Sequence, residues 1–216
     1  MSDWPFGLLR QSAYGVIYAD PAWRFEGYNE ASSGVPQRAP DQHYDTMTVA
    51  EMAELPVWKL AAPDCALLMW GTSSHLKQGI WLAERWGFEY SSKAFGWSKL
   101  NPHAERNHLK KFIAWADGPR DTQPPRLDDP ANWKIGMGHG TRRNTEDCWL
   151  FTRGKPKRLD MGVRELIVAP VGEHSRKPHE TYDRIERLFG GPYAELFSRN
   201  TRAGWSSWGN QTTKFD

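Results

Sequence analysis

The residues with the clearest chemical potential are Asp20, Pro21 and Trp23, in the stretch ADPAW that directly follows the apolar run YGVIY. Because proline cannot donate to a β-ladder and holds the preceding residue extended, a strand would stop here with the carboxylate at its carboxyl end. In open α/β sheets, ligands bind at that end. An ionised carboxylate only accepts hydrogen bonds, so Asp20 and the Pro21 carbonyl suit an exocyclic amine such as that of adenine, and the Trp23 ring could stack on the base. The alternative is an Asp-Pro turn with Trp23 packed on the core.

A second group of polar residues lies late in the chain. Glu195 is the acid of the apolar run AELFS; near a strand end it suits ribose hydroxyl groups, and the alternative is a half-buried acid paired with Arg199. Asn210 and Gln211 end the stretch GWSSWGNQ, where adjacent amides can bind an adenine or ribose or can simply form a C-terminal loop. Lys177 precedes a predicted helix, a position that favours an anion; a capped helix with solvated cations is the alternative.

Basic residues mark a third region. Trp97 and Lys99 close a predicted strand in FGWSKLN and lead into a long loop, so both are candidates for contact with a base or a nucleic acid. The strongest local basic patch combines GTRRN with TRGKPKR and contains Arg142, Arg143, Arg153, Lys155, Lys157 and Arg158. This patch could bind phosphate or could merely solvate two loops.

The elements that must position these residues alternate along the chain. Apolar, β-branched or aromatic runs predict strands at Tyr14–Ala19, Cys65–Trp70, Tyr90–Trp97, Cys148–Thr152, Glu165–Ala169 and Tyr193–Ser198. Helical patterns follow a capping box that begins at Thr48, occupy Leu76–Trp86, and run from about Pro178 to the Gly-Gly-Pro at 190–192. This alternation predicts a mostly parallel α/β sheet. Residues 24–41 and 101–140 fit no regular element, and we expect the longer stretch to be a lid-like loop, with a solvated insertion as the alternative.

Length and composition bound the class of protein. The 216 residues predict one domain spanning 1–216, and 28 basic against 26 acidic residues give a net charge of only +2, so a nucleic-acid partner would need a local basic patch. Two cysteines in apolar segments favour buried thiols in a reducing compartment. The start lacks a signal-peptide pattern, no long apolar run predicts a membrane span, and no metal-ligand spacing is evident. We therefore expect a soluble, cytoplasmic protein without a structural metal.

An ordered set of motifs resembles a known family. The stretches YGVIYADPAW, HYDTM, LLMWGT, FGWSKLN, RRNTEDC, TRGKPKR and EHSRKPHETYDRIERLFGGPYAELFSRNTRAGWSSWGNQ resemble, in this order, the MT-A70 family of S-adenosylmethionine-dependent adenine methyltransferases. The similarity runs from about Tyr14 to Gln211. It implies a Rossmann-like class I methyltransferase sheet with helices on both faces, in a permuted order that places the catalytic motif early and the cofactor motifs late.

The resemblance also implies roles for individual residues. Asp20 and Pro21 would orient the adenine amine, and Trp23 and Tyr44 would line the base site. The implied cofactor is S-adenosylmethionine, and the implied cofactor-binding residues are Lys177, Glu195, Arg199, Asn210 and Gln211. Family members usually carry Asp-Pro-Pro-Trp, whereas Ala22 stands here in place of the second proline. Because alanine has freer backbone torsions, turnover would suffer more than binding.

The combined interpretation is transfer of a methyl group to the N6 amine of adenine in nucleic acid. One alternative is a catalytically inactive, nucleic-acid-binding partner of another methyltransferase, and another is methylation of the N4 amine of cytosine. The compact chain favours DNA over RNA. By resemblance, pairing as a homodimer or heterodimer is a further expectation.

Overall fold

The computed structural model describes residues 4–21, 23, 47–119, 122–126, 128–136, 140–173 and 176–214. The predictions made for Ala22, Tyr44 and the stretch 24–41 lie outside the described residues.

The described residues form one seven-stranded sheet. Its strands are β1 (Tyr14–Ala19), β2 (Ala61–Gly71), β3 (Glu89–Leu100), β4 (Thr145–Arg153), β5 (Leu166–Pro170), β6 (Tyr193–Leu196) and β7 (Trp205–Trp208). The six predicted strands are thereby confirmed. The last strand, β7, was expected to be a C-terminal loop, and it instead pairs in parallel with β6.

The strand order is β5-β3-β4-β2-β1-β6-β7. Among the described strands, β4 alone runs against its neighbours, since it pairs antiparallel with β2 and β3 while every other pairing is parallel. The prediction of a mostly parallel sheet is therefore confirmed. A consequence for the site is that the residues following six strands and those preceding β4 meet at one edge, which we call the carboxyl edge.

Helices cover both faces of this sheet. The helices are α1 (Val49–Glu54), α2 (Leu76–Arg85), α3 (Ala104–Asp117) and α4 (Glu180–Leu188). On one face, Ile17, Leu67 and Phe151 pack with Met52 of α1 and Leu82 of α2. On the other face, alternate residues of the same strands, such as Val16 and Leu68, pack with Tyr182 and Ile185 of α4. This alternation follows from the two-residue period of a strand and creates two apolar layers.

Local sequence signals explain where the first helix begins. The Thr48 hydroxyl accepts a hydrogen bond from the Glu51 amide at 3.2 Å, and Glu51 accepts one in return from the Thr48 amide at 2.6 Å. This is the predicted capping box, and α1 ends at Glu54, two residues before Pro56. Both cysteines, Cys65 and Cys148, are buried free thiols, as expected.

The stretch 101–140 differs from its prediction. It contains α3 and a short 3-10 turn at Pro130–Asn132, so the expectation of no regular element there was wrong. The helix is bracketed by Pro102 and Pro119 and exposes Leu109, Phe112 and Ile113 on one side. Their i, i+3, i+4 spacing is helical, but the surrounding charged residues obscured it. The role of this stretch as a lid stays a prediction.

Candidate active site at the carboxyl edge

Asp20 lies at the carboxyl edge, directly after β1, as the Asp-Pro signal predicted. Both of its carboxylate oxygens accept hydrogen bonds from the Lys177 ammonium group, each at 2.8 Å. The guanidinium group of Arg199 adds a third bond at 3.3 Å. The chain thus brings together three predicted site residues that are up to 179 positions apart in sequence.

Lys177 links Asp20 to a second carboxylate. Its Nζ atom lies 3.4 Å from Oε2 of Glu146, whose other oxygen accepts a 2.5 Å bond from Lys99. Burial acts to lower the pKa of the Lys177 ammonium group, but the carboxylates of Asp20 and Glu146 outweigh it and raise that pKa. Burial likewise acts to raise the pKa of Glu146, and the two lysines overcome it and lower that pKa. The Lys177 ammonium group and the Glu146 carboxylate are therefore both charged near neutral pH.

Glu195 faces the same cavity from β6. Its side chain is 5 % exposed, and one oxygen accepts a hydrogen bond from the Tyr182 hydroxyl at 2.9 Å. The other oxygen, Oε2, is buried and has no hydrogen-bond partner among the described residues. Burial raises the pKa of the Glu195 carboxyl to about 7. A buried acceptor without a donor fits a ligand hydroxyl group, because such an atom is otherwise costly to bury.

The cavity itself has a volume of about 410 Å³, counting the space at its mouth. Its lining includes Tyr18, Asp20, Lys177, Tyr182, Glu195 and Arg199. Anionic and cationic groups therefore face the same space.

The chain after β6 and β7 is tightly packed at this edge. Phe197 has a φ of +60°, a left-handed conformation that is strained for a bulky residue, and its ring stacks on Trp86. Gly209 follows β7, and a Cβ atom there would lie 2.5 Å from the Ser198 carbonyl oxygen. Beyond it, Asn210 is exposed, while the buried Oε1 atom of Gln211 has no hydrogen-bond partner among the described residues.

Trp23, the predicted base-stacking residue, is packed against other residues of the protein. Trp23 is 7 % exposed, its indole N–H donates to the Trp70 carbonyl at 3.0 Å, and its ring stacks on His75 at 5.4 Å. This is the arrangement that the core-packing alternative predicts. Burial and the nearby Arg143 charge lower the pKa of His75, which keeps its imidazole neutral near pH 7. The carbonyl of Pro21 accepts a bond from the Trp23 amide at 2.8 Å and retains one lone pair.

The indole of Trp97 does not fit a contact with nucleic acid. It is 1 % exposed and donates to the Ala169 carbonyl at 2.9 Å within the core. The side chain is thus part of the apolar layer beneath the site. Lys99, two residues further along β3, is the residue of this strand that reaches the charged network.

The predicted basic patch is not one surface. Arg142 and Arg143 precede β4 at the carboxyl edge. The segment TRGKPKR begins with the last two residues of β4 and continues beyond it at the opposite edge, where Arg153 donates a hydrogen bond to the Trp58 carbonyl. Since β4 has nine residues, the two groups are roughly 30 Å apart. The prediction of one patch was wrong because the two groups are close in sequence but lie at opposite ends of a single strand.

Three residues of the site were missed from the sequence: Glu146, Tyr182 and His75. Glu146 lies two residues before the predicted strand Cys148–Thr152, and Tyr182 belongs to the apolar stripe of α4, so neither was singled out for chemistry. The position of His75, beside Trp23, depends on a loop after β2. The available signal for Glu146 was its position as a charged residue in the strand-like run TEDCWL.

The two-sided sheet and the ligand cavity at its carboxyl edge define a Rossmann-like α/β methyltransferase. The MT-A70 family model matches residues 14–119 and 126–211. The chain belongs to this family of S-adenosylmethionine-dependent adenine N6 methyltransferases, as the sequence motifs indicated.

Three relatives illustrate the range of the family. The chain is 30 % identical over 222 residues to the Type II methyltransferase M.MunI of a Mycoplasma species, a match that covers 96 % of this chain and 81 % of the relative. It is 28 % identical over 218 residues to the human N(6)-adenine-specific methyltransferase METTL4, covering 96 % and 39 %. It is 28 % identical over 202 residues to the human N(6)-adenosine-methyltransferase catalytic subunit METTL3, covering 92 % and 28 %. The chain thus spans most of the first relative and less than two-fifths of the human proteins.

None of the helices in the described part of the chain is long and apolar enough to cross a membrane. The same residues contain no cluster of three or more His, Cys, Asp or Glu side chains that could hold a metal ion.

Proposed function

We propose that this protein transfers the methyl group of S-adenosylmethionine to the exocyclic N6 amine of adenine in nucleic acid, with DNA favoured over RNA. The observation that carries the proposal is the meeting of Asp20, Lys177, Arg199 and Glu195 around one cavity. These residues offer acceptors for an amine and for hydroxyl groups, and cations for a carboxylate. An amine-methylating site requires each of these functions.

The residues present fit S-adenosylmethionine, which supplies an electrophilic methyl group on a sulfonium sulfur when it is bound. Lys177 and Arg199 would bind the carboxylate of its methionine part through charge-assisted hydrogen bonds. Glu195 Oε2, which is buried and meets no donor in the described part of the chain, would accept from the ribose. Gln211, with its own buried acceptor, and Asn210 would bind the adenosine part.

Asp20 would orient the target amine. Its oxygens now accept from Lys177 and Arg199, and a carboxylate bound to those cations would compete for the same N–H groups. Asp20 could then accept one amine proton while the Pro21 carbonyl accepts the other, which directs the nitrogen lone pair toward the methyl group. This is positioning catalysis. Methylation leaves a cationic, strongly acidic amine, so Asp20 or water can take the proton afterwards.

The base site would lie beside this pair of acceptors. We assign Trp23, which stacks on His75, to this site. By the family resemblance, Tyr44 would also contact the base, although it lies outside the described residues. A base in a duplex must leave the stack to reach a methyl donor at this depth, because a paired amine is inaccessible. Arg142 and Arg143 at the same edge would bind the flanking phosphates.

In support of DNA, the match covers 81 % of M.MunI, a type II methyltransferase, but only 28 % of METTL3, whose name specifies the ribonucleoside adenosine. An inactive partner would not need the cavity to combine Asp20 with the cofactor candidates. Methylation of cytosine N4 would use the same acceptors, so the product must be identified directly.

The test uses radiolabelled S-adenosylmethionine with single-stranded DNA, duplex DNA and RNA, followed by mass spectrometry of the nucleosides. We expect N6-methyladenine in DNA with the wild type and at least a 100-fold lower rate with Asp20→Asn, which keeps the shape and removes the charge. Asp160→Asn is the control, since Asp160 pairs with Arg187 on the surface. Label in cytosine would show that the acceptor is the cytosine N4 amine, and label in RNA would show that the substrate is RNA. Cofactor binding without labelling of any polymer would favour the alternative of a catalytically inactive partner.

We further propose that the protein pairs, as a homodimer or a heterodimer. The support is the exposed apolar side of α3, formed by Leu109, Phe112 and Ile113, because such faces mark interaction sites. Light scattering of wild type and Phe112→Glu checks this: a dimer that becomes monomeric supports homodimer formation by α3, and a monomeric wild type leaves only the heterodimer.

A further inference from the structure

We propose that Tyr182 is a positioning residue for the cofactor: its phenol holds one oxygen of Glu195 so that the other oxygen faces the cavity. This inference rests on the proposed function, in which Glu195 binds ribose hydroxyl groups. It adds a residue on helix α4 to a site otherwise built from strand ends and from the segment before α4.

The hydrogen bond from Tyr182 makes the two carboxylate oxygens of Glu195 different from each other. The Tyr182 hydroxyl donates to Oε1 at 2.9 Å, and Oε2 is left buried without a partner among the described residues. The nearby Ser198 hydroxyl acts to lower the pKa of this carboxyl group, but its proton is donated to the Asn200 carbonyl at 2.6 Å. Oε2 is therefore the oxygen that remains for a ligand.

The phenol is well placed because its ring is fixed on several sides. Tyr182 makes edge-to-face contacts with Tyr18 at 5.3 Å and with Trp205 at 5.2 Å. The guanidinium group of Arg202 lies 5.1 Å from the ring centroid and is itself held by Asp183 and Glu186. A ring held in this way keeps its hydroxyl aimed at Glu195 at little cost in side-chain entropy.

The charge state of both groups supports the same role. Burial raises the pKa of Tyr182, so its hydroxyl stays protonated and remains a donor. Burial also raises the pKa of Glu195 to about 7, against the opposing effect of the Tyr182 bond. Loss of the phenol would therefore raise the pKa of Glu195 further and leave a weaker acceptor at pH 7.5. The charged and titratable groups that line this cavity together with Glu195 come from four parts of the chain: Tyr18 of β1 and Asp20 directly after it, Arg176, Lys177 and His179 before α4, Tyr182 of α4, and Arg199 after β6.

The test is titration calorimetry of S-adenosylmethionine into wild type, Tyr182→Phe and Tyr193→Phe between pH 6 and pH 9. Tyr193 is the matched control, since its phenol donates to the Phe189 carbonyl at 2.9 Å and not to Glu195. We expect wild-type binding to tighten as pH rises through about 7. Tyr182→Phe should bind about tenfold more weakly at pH 7.5, with the pH midpoint moved upward, and should keep kcat at saturating cofactor within about twofold. Tyr193→Phe should match the wild type.

A double variant separates the effect of Tyr182 on the Glu195 carboxyl from any effect on folding. In a Glu195→Gln background, which has no titrating carboxyl at this position, adding Tyr182→Phe should change the dissociation constant less than twofold. Equal weakening at every pH, or an equal loss in the Glu195→Gln background, would show a merely structural role and overturn the inference. Wild-type binding with an unaffected Tyr182→Phe would overturn it too, while the proposed function would stand. Failure of the wild type to bind the cofactor would overturn both.

Discussion

Glu146 shares its carboxylate between two ammonium groups on side chains that are 19 % and 11 % exposed, Lys99 at 2.5 Å and Lys177 at 3.4 Å. Removing one partner of a buried ion pair leaves uncompensated charge, which typically costs about 3 to 5 kcal/mol. We therefore expect Glu146→Gln to lower the free energy of unfolding in urea by about that amount. The control is Glu180→Gln, which breaks a more exposed pair with Arg184 and should cost less than about 1 kcal/mol. Equal effects of the two substitutions would mean that the buried network does not stabilise the fold.

The Glu195 carboxyl makes stability depend on pH. Its pKa is about 7 in the folded protein and about 4.5 as an unperturbed group. The folded state therefore binds more protons than the unfolded state between these values, and the free energy of unfolding falls as pH rises from about 5 to about 7. Glu195→Gln removes this contribution, so its stability relative to the wild type should increase over that range. Urea titrations at pH 5, 6, 7 and 8 measure the difference, and a constant difference would contradict the pKa shift.

The close approach of the chain segments after β6 and β7 gives a prediction at the scale of elements. A Cβ atom at Gly209 would lie 2.5 Å and 2.7 Å from backbone atoms of Ser198, so neither strand end can yield cheaply. We expect Gly209→Ala to lower the free energy of unfolding by about 1 to 3 kcal/mol and to weaken cofactor binding, because the segments carrying Arg199 and Gln211 must separate. Gly140→Ala is the matched control, since a Cβ atom there meets nothing within 4 Å. Thermal melts and calorimetry with S-adenosylmethionine report the two effects.

The same scale shows how far the sequence predicts the fold. Strands β1 to β6 and helices α1, α2 and α4 carry strong apolar periodicity or caps, and the sequence located all of them. Strand β7 has four residues, WSSW, a run too short to show a period, and it exists because β6 offers an edge to pair with. Helix α3 has an apolar stripe without a core to bury it, so its charged, proline-bounded stretch resembled a loop.

The site was predictable to the extent that its residues follow strands. Asp20 and Arg199 come after β1 and β6, and the parallel sheet brings those ends together. The partners Glu146 and Tyr182 could not be predicted, because their contacts depend on strand order and on the rotation of a helix. A local sequence pattern specifies neither property.

At the scale of the whole molecule, the distribution of charge matters more than its total. The net charge of +2 is too small for a general attraction to nucleic acid. The basic residues that flank β4 are separated, with Arg142 and Arg143 at the carboxyl edge and the TRGKPKR segment at the opposite edge. The phosphates that flank a base in the cavity can therefore reach the first group and not the second.

This separation allows a charge-matched test of where nucleic acid binds. Arg142→Ala combined with Arg143→Ala removes two cations at the carboxyl edge, and Lys155→Ala combined with Lys157→Ala removes two exposed cations at the other. If both arginines contact phosphates of duplex DNA, the first variant should bind more weakly, and the slope of log K against log[salt] should fall in magnitude by about 1.8. The lysine variant should keep the wild-type slope. Fluorescence anisotropy measures the binding constant at salt concentrations between roughly 50 and 200 mM, a range over which such slopes can be determined. The opposite result would be a reduced slope for the lysine variant and a wild-type slope for the arginine variant. It would place the phosphate backbone at the edge opposite the cavity, and the base would then have no route to Asp20.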